Sequence, residues 1–300
     1  AGLYALSALI FYALTGSVEI HQIEEVLLAR DFEPLVGVLA ATVFMVGALG
    51  FKLSLVPSHT WTPDVYEGSS APLAGYMAVV PKIAGFVVAM RLFEMIVLSG
   101  VVWLEQALYV LVVLTMTLAN ITALVQEDVK RMLAFSSISH AGSMMAAILI
   151  GTTQANTALF MYWTLFMFTN LGAFTMLWIV RHRKNLWDER YQHPFTKFSG
   201  MIKIMPIMAT IMAIFMFALA GMPPFSVFWG KLYLLSAAIN AGFIFLAIIM
   251  VINSAIAVYY YMKLVVYMFL KEPVTEDARI YNTNASTPLK SIVGFEIGRA

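Results

Sequence analysis

The amino-acid sequence predicts an all-α polytopic membrane protein. Of its 300 residues, 61% are hydrophobic and only 12% are charged, whereas soluble domains average about 45–50% and about 25%. Apolar runs of about 20 residues recur along the chain, and a helix of that length crosses a hydrocarbon core about 30 Å thick. Together these observations exclude a water-soluble globule.

Eight apolar runs are candidate transmembrane helices. They cover residues 3–17, 35–56, 73–93, 103–125, 132–150, 155–180, 204–239 and 243–269. No initiator Met, basic region or cleavage motif precedes the first run, which argues against a signal peptide and leads us to expect a missing upstream segment. The acidic segment 19–33 is expected to form a short helix on the outer surface.

The basic residues predict an orientation, because Lys and Arg of short loops are retained on the cytoplasmic side. If the first run crosses outward, the outer loops carry only Arg30 and Arg91. The loops and tail assigned to the inner side carry Lys130, Arg131, Arg181, Arg183, Lys184, Arg190, Lys197, Lys203, Lys263 and Lys271. This asymmetry favours eight crossings with the last one ending inside.

The composition also excludes several kinds of chemistry. The chain has no cysteine and a net charge of +1, which excludes disulfides and thiolate metal sites and gives no basic field for nucleic acid. Phosphate-binding glycine loops and an HExxH motif are absent, and the five histidines are scattered. We therefore expect neither a metal nor a cofactor in this chain, and a lipid bilayer as its surroundings.

The run 204–239 is too long for one ordinary crossing. We expect the turn that follows it at residues 240–242, with Gly221, Pro223 and Pro224 breaking the run into two half-helices. A turn at Gly221 itself would leave the following helix far too long. Broken helices are tolerated in a membrane only where protein or internal water covers the freed backbone groups, as at the ion pathways of transporters.

A similar interruption follows the second run, around Pro57. Each predicted break has a lysine near it, Lys52 at the first and Lys231 at the second. By parity the two broken helices run in opposite directions, which suggests an inverted repeat.

Lys82 lies near the middle of its run, where a lysine costs roughly 3 kcal/mol on insertion scales. The alternative is that the Lys82 side chain extends to the membrane surface. However, about ten residues of helix, near 15 Å, separate Lys82 from either end of the run. For Lys52 and Lys231, a position at the membrane surface is an open alternative. A structural role for His140 is nearly as consistent with the sequence as a role in proton relay. Because burial disfavours the charged form of a lysine, such side chains can take up and release protons.

Four segments resemble the antiporter-like membrane subunits of respiratory complex I, a proton-conducting transporter family. They are GFKLSLVPSHTWTPDVYEG at 50–68, VPKIAG at 80–85, QEDVKRMLAFSSISHAG at 126–142, and the run 220–233. The similarity extends over almost all of residues 1–270, and WTPDVYEG favours one branch of these subunits over sisters that usually read WLPDA.

The resemblance implies roles for four residues. Lys52 matches the lysine of the family's first broken helix, Lys82 its central lysine and Lys231 the lysine of its second broken helix. His140 matches a candidate relay histidine. The glutamate that pairs with the first lysine in the family would lie upstream of Ala1.

The resemblance also implies an organisation and a setting. Residues 1–270 would form a proton-translocating domain truncated on its N-terminal side, and 271–300 a polar tail or the approach to a further helix. The chain would act as a translocase subunit in a bacterial inner membrane beside sister antiporter-like subunits, with quinone, flavin and iron–sulfur clusters in partner subunits. A subunit of a multi-subunit cation/proton antiporter is the main alternative, and a purely structural membrane subunit is a more distant one.

Overall fold

The computed structural model describes residues 2–29, 36–98, 102–179 and 193–273. Those residues form α-helices and one short 3-10 helix, and they contain no β-strand. The helices are α1 (Gly2–Thr15), α2 (Ile20–Ala29), α3 (Val36–Leu53), α4 (Trp61–Gly68), α5 (Ala71–Leu98), α6 (Val102–Leu124), α7 (Val129–Ile150), α8 (Thr153–Ile179), α9 (Met201–Ile204), α10 (Pro206–Ala220), α11 (Ser226–Asn240) and α12 (Ile244–Leu270). The predicted all-α membrane fold is confirmed.

Six of these helices are long and apolar enough to cross a membrane unaided, namely α3, α5, α6, α7, α8 and α12. A seventh candidate is α1 together with residues 20–27 of α2, which meet at a bend of 54°. The predicted run 204–239 corresponds to α10 and α11, whose 15 residues each give about 22 Å, too short to cross the core singly. The eight predicted runs thus each correspond to observed helices.

Helix α7 lies at the centre of the bundle. In its apolar stretch, 94% of the residues are buried inside the protein, compared with 39–44% in the apolar stretches of the other five long helices. Asp128 caps its N-terminus by accepting a hydrogen bond from the Arg131 amide at 3.0 Å. At Gly142 α6 packs so closely that an added Cβ would lie 2.8 Å from the Met116 Cγ and 3.0 Å from the Met116 backbone nitrogen. A helix surrounded in this way can present polar side chains to several neighbours.

The connections that parity assigns to the inner side meet at one end of the bundle. Arg131 pairs with Asp64 and Glu67 of α4, and the Val129 amide donates to the His193 carbonyl at 2.8 Å. Arg30 and the basic residues 181–190 lie outside the described residues. The grouping supports the predicted parity, while the assignment of this end to the cytoplasm stays a prediction.

Lys197 lies in the short 3-10 helix Phe195–Phe198 at this same end, outside the membrane-spanning helices. Its pKa is lowered from 10.5 to about 8, chiefly by burial, with Asp128 opposing the shift and the charge of Lys130 adding to it. The end of the bundle therefore carries a lysine that changes its charge in mildly alkaline conditions.

The first break lies between α3 and α4. α3 ends at Leu53, earlier than the predicted residue 56, because Ser54 takes a left-handed conformation with φ 63°. Pro57 follows in the irregular connection, as predicted. The Trp61 indole donates to the Phe51 carbonyl at 3.1 Å, and the Val56 amide donates to the Thr115 hydroxyl at 3.1 Å. Side chains thus satisfy backbone groups that the break frees.

The second break lies between α10 and α11, where the sequence predicts it. α10 ends at Ala220, Gly221 adopts φ 79°, and Pro223 and Pro224 fill the connection before Ser226. The turn after α11 falls at residues 241–243, which confirms the predicted position. The suggested inverted repeat stays a prediction.

The acidic segment before α3 forms the expected short helix, α2, with Ile23 and Leu27 buried against the bundle and most other side chains exposed. Its place on the outer surface stays a prediction. Residues 30–35 of that segment, and residues 274–300 of the predicted polar tail, lie outside the described residues.

Candidate functional site

Lys82 points into the bundle instead of towards a surface. It lies in the second quarter of α5, directly after Pro81, and is only 4% exposed. Its Nζ donates to the Ser137 hydroxyl at 2.8 Å and to the Ser137 carbonyl at 3.2 Å. The central lysine is therefore held against the central helix α7.

His140 follows Ser137 by about one turn of α7 and is also buried. Its Nδ1 lies 2.7 Å from the Tyr162 hydroxyl of α8, and its Nε2 lies 3.1 Å from the Tyr261 hydroxyl of α12. One ring nitrogen of a neutral imidazole donates and the other accepts, and a tyrosine hydroxyl can do either. His140 thus connects two buried hydroxyls from opposite sides of its ring.

The Tyr261 hydroxyl also forms a short hydrogen bond with the Ser136 hydroxyl, which brings the connection back to α7. The Phe166 ring of α8 packs on the imidazole, with its centroid 4.7 Å away. Serine and tyrosine hydroxyls together with one imidazole form a buried polar cluster in an otherwise apolar interior. Such clusters can pass a proton, because each member can accept one proton while donating another.

Lys231 lies on α11, the half-helix that follows the second break. Its Nζ donates to the carbonyl of Ala220, the last residue of α10, at 3.1 Å. The adjacent Gly230 packs so tightly on α8 that an added Cβ would lie 2.8 Å from the Tyr162 Cα. Both Lys231 and Lys82 are near enough for their charges to act on His140. These three predicted residues therefore form one electrostatically connected row.

Lys52 occupies a different position from the other predicted residues. It lies in the last turn of α3 and is exposed on the surface of the described residues. Its Cγ lies 3.5 Å from where a Cβ on Gly85 of α5 would be, about one turn beyond Lys82. Within the described part of the chain it forms neither a hydrogen bond nor an ion pair, so it does not join the row directly.

A second polar cluster connects α6 with α12. The Asn120 amide nitrogen donates to the Asn253 side-chain oxygen at 2.9 Å, and the Tyr260 hydroxyl donates to the Asn120 side-chain oxygen at 2.9 Å. The Asn253 amide nitrogen donates to the Thr117 hydroxyl at 3.2 Å. These bonds hold α6 and α12 together.

Sequence reasoning named the lysines and His140 but missed the hydroxyls that Lys82 and His140 contact. Ser136 and Ser137 lie within four residues of His140 on α7, so their spacing could have identified them. Tyr162 and Tyr261 are distant in sequence, and only the packing of α8 and α12 brings them together. Among the described residues no group of three or more His, Asp or Glu could bind a metal ion.

A bundle of apolar helices with two breaks and ionisable side chains in its interior defines a multi-pass membrane protein with an internal polar path. Residues 2–257 match the family described as "NADH:quinone oxidoreductase/Mrp antiporter, TM". The chain belongs to this family, as the sequence motifs predicted.

The relatives agree with the branch that WTPDVYEG favours. NADH-quinone oxidoreductase subunit N of Sulfurimonas denitrificans is 62% identical over 98% of this chain and 59% of its own length. The subunit N of Campylobacter concisus is 55% identical over 99% of this chain and 60% of its own length. The chain thus spans about three-fifths of the length of these relatives.

Solved structures of two assemblies contain a similar fold. A chain of respiratory complex I from Thermus thermophilus, with bound aureothin, is 28% identical and superposes with a TM-score of 0.78, covering 97% of this chain and 60% of that one. A chain of the Mrp complex from Dietzia sp. DQ12-45-1b is 25% identical with a TM-score of 0.79, covering 93% and 50%.

Proposed function

We propose that this chain is part of subunit N of a bacterial NADH:quinone oxidoreductase and moves protons through its buried lysines. The observation that carries the proposal is that Lys82 donates to the Ser137 hydroxyl, that His140 contacts the hydroxyls of Tyr162 and Tyr261, and that Lys82 and Lys231 both act electrostatically on His140. The family and the named relatives add independent support. A bacterial inner membrane is the setting that fits both.

In this mechanism Lys82 holds a proton while Ser137 accepts its hydrogen bond. His140 receives a proton at one ring nitrogen and releases one from the other, so that the tyrosine hydroxyls on either side exchange donor and acceptor roles. Lys231 is the next acceptor in the row. A charge on either lysine disfavours a charge on His140, because like charges repel in a poorly solvated interior.

This repulsion couples the charge states of Lys82, His140 and Lys231. A proton that arrives at Lys82 raises the energy of charge further along, and departure of a proton from Lys231 lowers it again. Each site therefore responds to its neighbour, which lets an outside event drive the transfers. We expect that event to be quinone reduction in the assembled complex.

Electron transfer belongs to other subunits in this proposal. Quinone, flavin and iron–sulfur clusters would be held by partner subunits, and sister antiporter-like subunits would adjoin this chain in the membrane. The chain contributes to the translocase as a proton carrier without redox chemistry of its own. Lys52 would act as the lysine of the first broken helix, a role that rests on the family motif around it.

Replacing Lys82 with Ala in the full-length subunit tests the proposal. In inverted membrane vesicles we expect proton pumping driven by NADH to fall by roughly a hundredfold, the contribution typical of a group that transfers a proton directly. Lys203→Ala is the matched control, because Lys203 is an exposed lysine paired with Glu272 at the end of the bundle. An unchanged number of protons pumped per electron in Lys82→Ala would contradict the proposal.

The antiporter alternative is favoured by the match to the Mrp complex. The same vesicles distinguish the two functions. Proton movement that requires sodium and continues without quinone reduction would select the antiporter. Proton movement that follows NADH oxidation and does not depend on sodium supports the complex I subunit.

A further inference from the structure

Three buried polar atoms on α4 and α8 have no hydrogen-bond partner among the described residues. They are the hydroxyl of Tyr66 and both side-chain polar atoms of Asn170. Each of these two residues is 0% exposed. Buried polar groups in folded proteins are almost always hydrogen-bonded, and where protein groups do not serve, an internal water does.

Tyr66 belongs to α4, the short helix that follows the first break. Its ring meets Phe174 of α8 edge-on, with the centroids 6.3 Å apart. Its hydroxyl lies beside the Ser137 side chain, but not at the distance and angles of a well-formed hydrogen bond. Since Ser137 accepts the hydrogen bond of Lys82, the Tyr66 hydroxyl lies one hydroxyl away from the central lysine.

Asn170 occupies the matching stretch of α8. It follows Phe166 by four residues and precedes Phe174 by four, and side chains at that spacing share one helix face. Phe166 packs on His140, and Phe174 packs on Tyr66. Asn170 therefore lies on the face of α8 between the imidazole and the Tyr66 ring.

We propose that Tyr66 and Asn170 hold an internal water beside Ser137, and that this water supplies Lys82 with protons from the end of the bundle where Glu67 pairs with Arg131. The proposal rests on the proposed function. A buried water typically makes about three hydrogen bonds. A phenol, an amide oxygen and an amide NH₂ meet that requirement with both donors and acceptors.

The transfer conserves every proton. The water gives a proton to the Ser137 oxygen, the Ser137 hydroxyl proton passes to the neutral Lys82 amine, and the water regains a proton from the solvent side. Tyr66 and Asn170 hold the water in place, which makes them positioning residues. Neither residue needs to change its own charge.

Packing alone would favour apolar residues at both positions. Phenylalanine keeps the ring contact of Tyr66 with Phe174, and leucine is close to asparagine in size. An unsatisfied buried polar group destabilises a protein, so replacing it with an apolar group of the same shape is neutral or stabilising. A purely structural role and a water-holding role therefore make opposite predictions.

The experiment compares Tyr66→Phe and Asn170→Leu in the full-length subunit within the assembled complex. We expect each variant to pump protons at about a tenth of the parental rate or below. Its thermal midpoint should equal or exceed that of the parent. Asn170→Ser, which leaves a hydroxyl and room for water, should recover most of the rate. Tyr76→Phe is the matched control, because Tyr76 is exposed on α5.

The outcomes separate the water site from the proposed function. Parental pumping in Tyr66→Phe, together with loss of pumping in Lys82→Ala, overturns the water site alone. Parental pumping in both variants overturns the proposed function as well. A slower Tyr66→Phe that is also less stable than the parent assigns the hydroxyl a structural role and overturns the water site.

Discussion

The two helix breaks are closed in different ways. At the first break the lysine takes no part: Trp61 and Thr115 bond the freed backbone groups, and Lys52 stays exposed beside them. At the second break the lysine is itself the closing group, because the Lys231 ammonium donates to the Ala220 carbonyl. One break is thus built independently of its ionisable residue, and the other is built around it.

This difference implies that substitutions at the two breaks have different consequences for stability and for proton transfer. Changes at the first break should affect folding and leave the row of Lys82, His140 and Lys231 intact. Changes at the second break should affect both together. Three substitutions measure how sharp this contrast is.

The largest effect is expected from Gly221→Ala. An added Cβ would lie 2.9 Å from Lys231 Cδ, in a backbone conformation with φ 79°. The conformation alone costs about 1–2 kcal/mol, and displacing Lys231 leaves a carbonyl without its donor at about 1–3 kcal/mol more. We expect a lower thermal midpoint of the purified complex and slower pumping in vesicles.

Gly16→Ala is the control for that substitution. Gly16 has a similar φ of 76°, and an added Cβ there would meet nothing within 4 Å. It should lose only the conformational part of the stability and keep its pumping rate. If Gly16→Ala and Gly221→Ala lowered the thermal midpoint and the pumping rate equally, Lys231 would not be the closing group.

Thr115→Val should have an intermediate effect. The substitution removes the acceptor of the Val56 amide at the first break and leaves that amide unsatisfied, at a cost of about 1–3 kcal/mol. We expect a lower thermal midpoint and unchanged protons per electron in the molecules that remain folded. In the control Thr122→Val the lost hydroxyl bonds the Leu118 carbonyl of its own helix, so little stability should be lost.

The smallest effect is expected from Trp61→Phe. In the parent the Trp61 and Phe51 rings stack with their centroids 5.3 Å apart, and a phenylalanine ring can keep this stacking. The substitution removes the hydrogen bond from the Trp61 indole to the Phe51 carbonyl, worth about 1 kcal/mol. Trp229→Phe, at an exposed position on the half-helix after the second break, is the control. A pumping defect in Trp61→Phe at full stability would mean that the first break also takes part in transfer.

Much of the fold could be predicted because the membrane constrains it strongly. Apolar length alone located the crossings, and the length of the run 204–239 forced a break near Gly221 and a turn after Asn240. The end of α3 was placed three residues late, because the left-handed Ser54 has no sequence signal of the kind that glycine or proline provides. Hydropathy also gave no warning of the short helices α4 and α9.

The candidate site was predictable only in part, for a related reason. A lysine such as Lys82 stands out in an apolar run because its burial is costly. Tyr162 and Tyr261 do not stand out, since tyrosines are common in transmembrane helices and at their ends. Their contribution depends on how α8 and α12 pack around α7, which one sequence does not specify.

Through its hydrogen bond to the Ala220 carbonyl, the Lys231 Nζ both carries a charge and holds the joint between α10 and α11. A charged donor binds a carbonyl roughly twice as strongly as a neutral one. Should Lys231 release its proton, the joint between α10 and α11 therefore loosens in the same step, and it tightens again when the proton returns. A change of protonation at one atom would then alter the stiffness of a hinge whose two arms, of 15 residues each, reach towards opposite faces of the membrane.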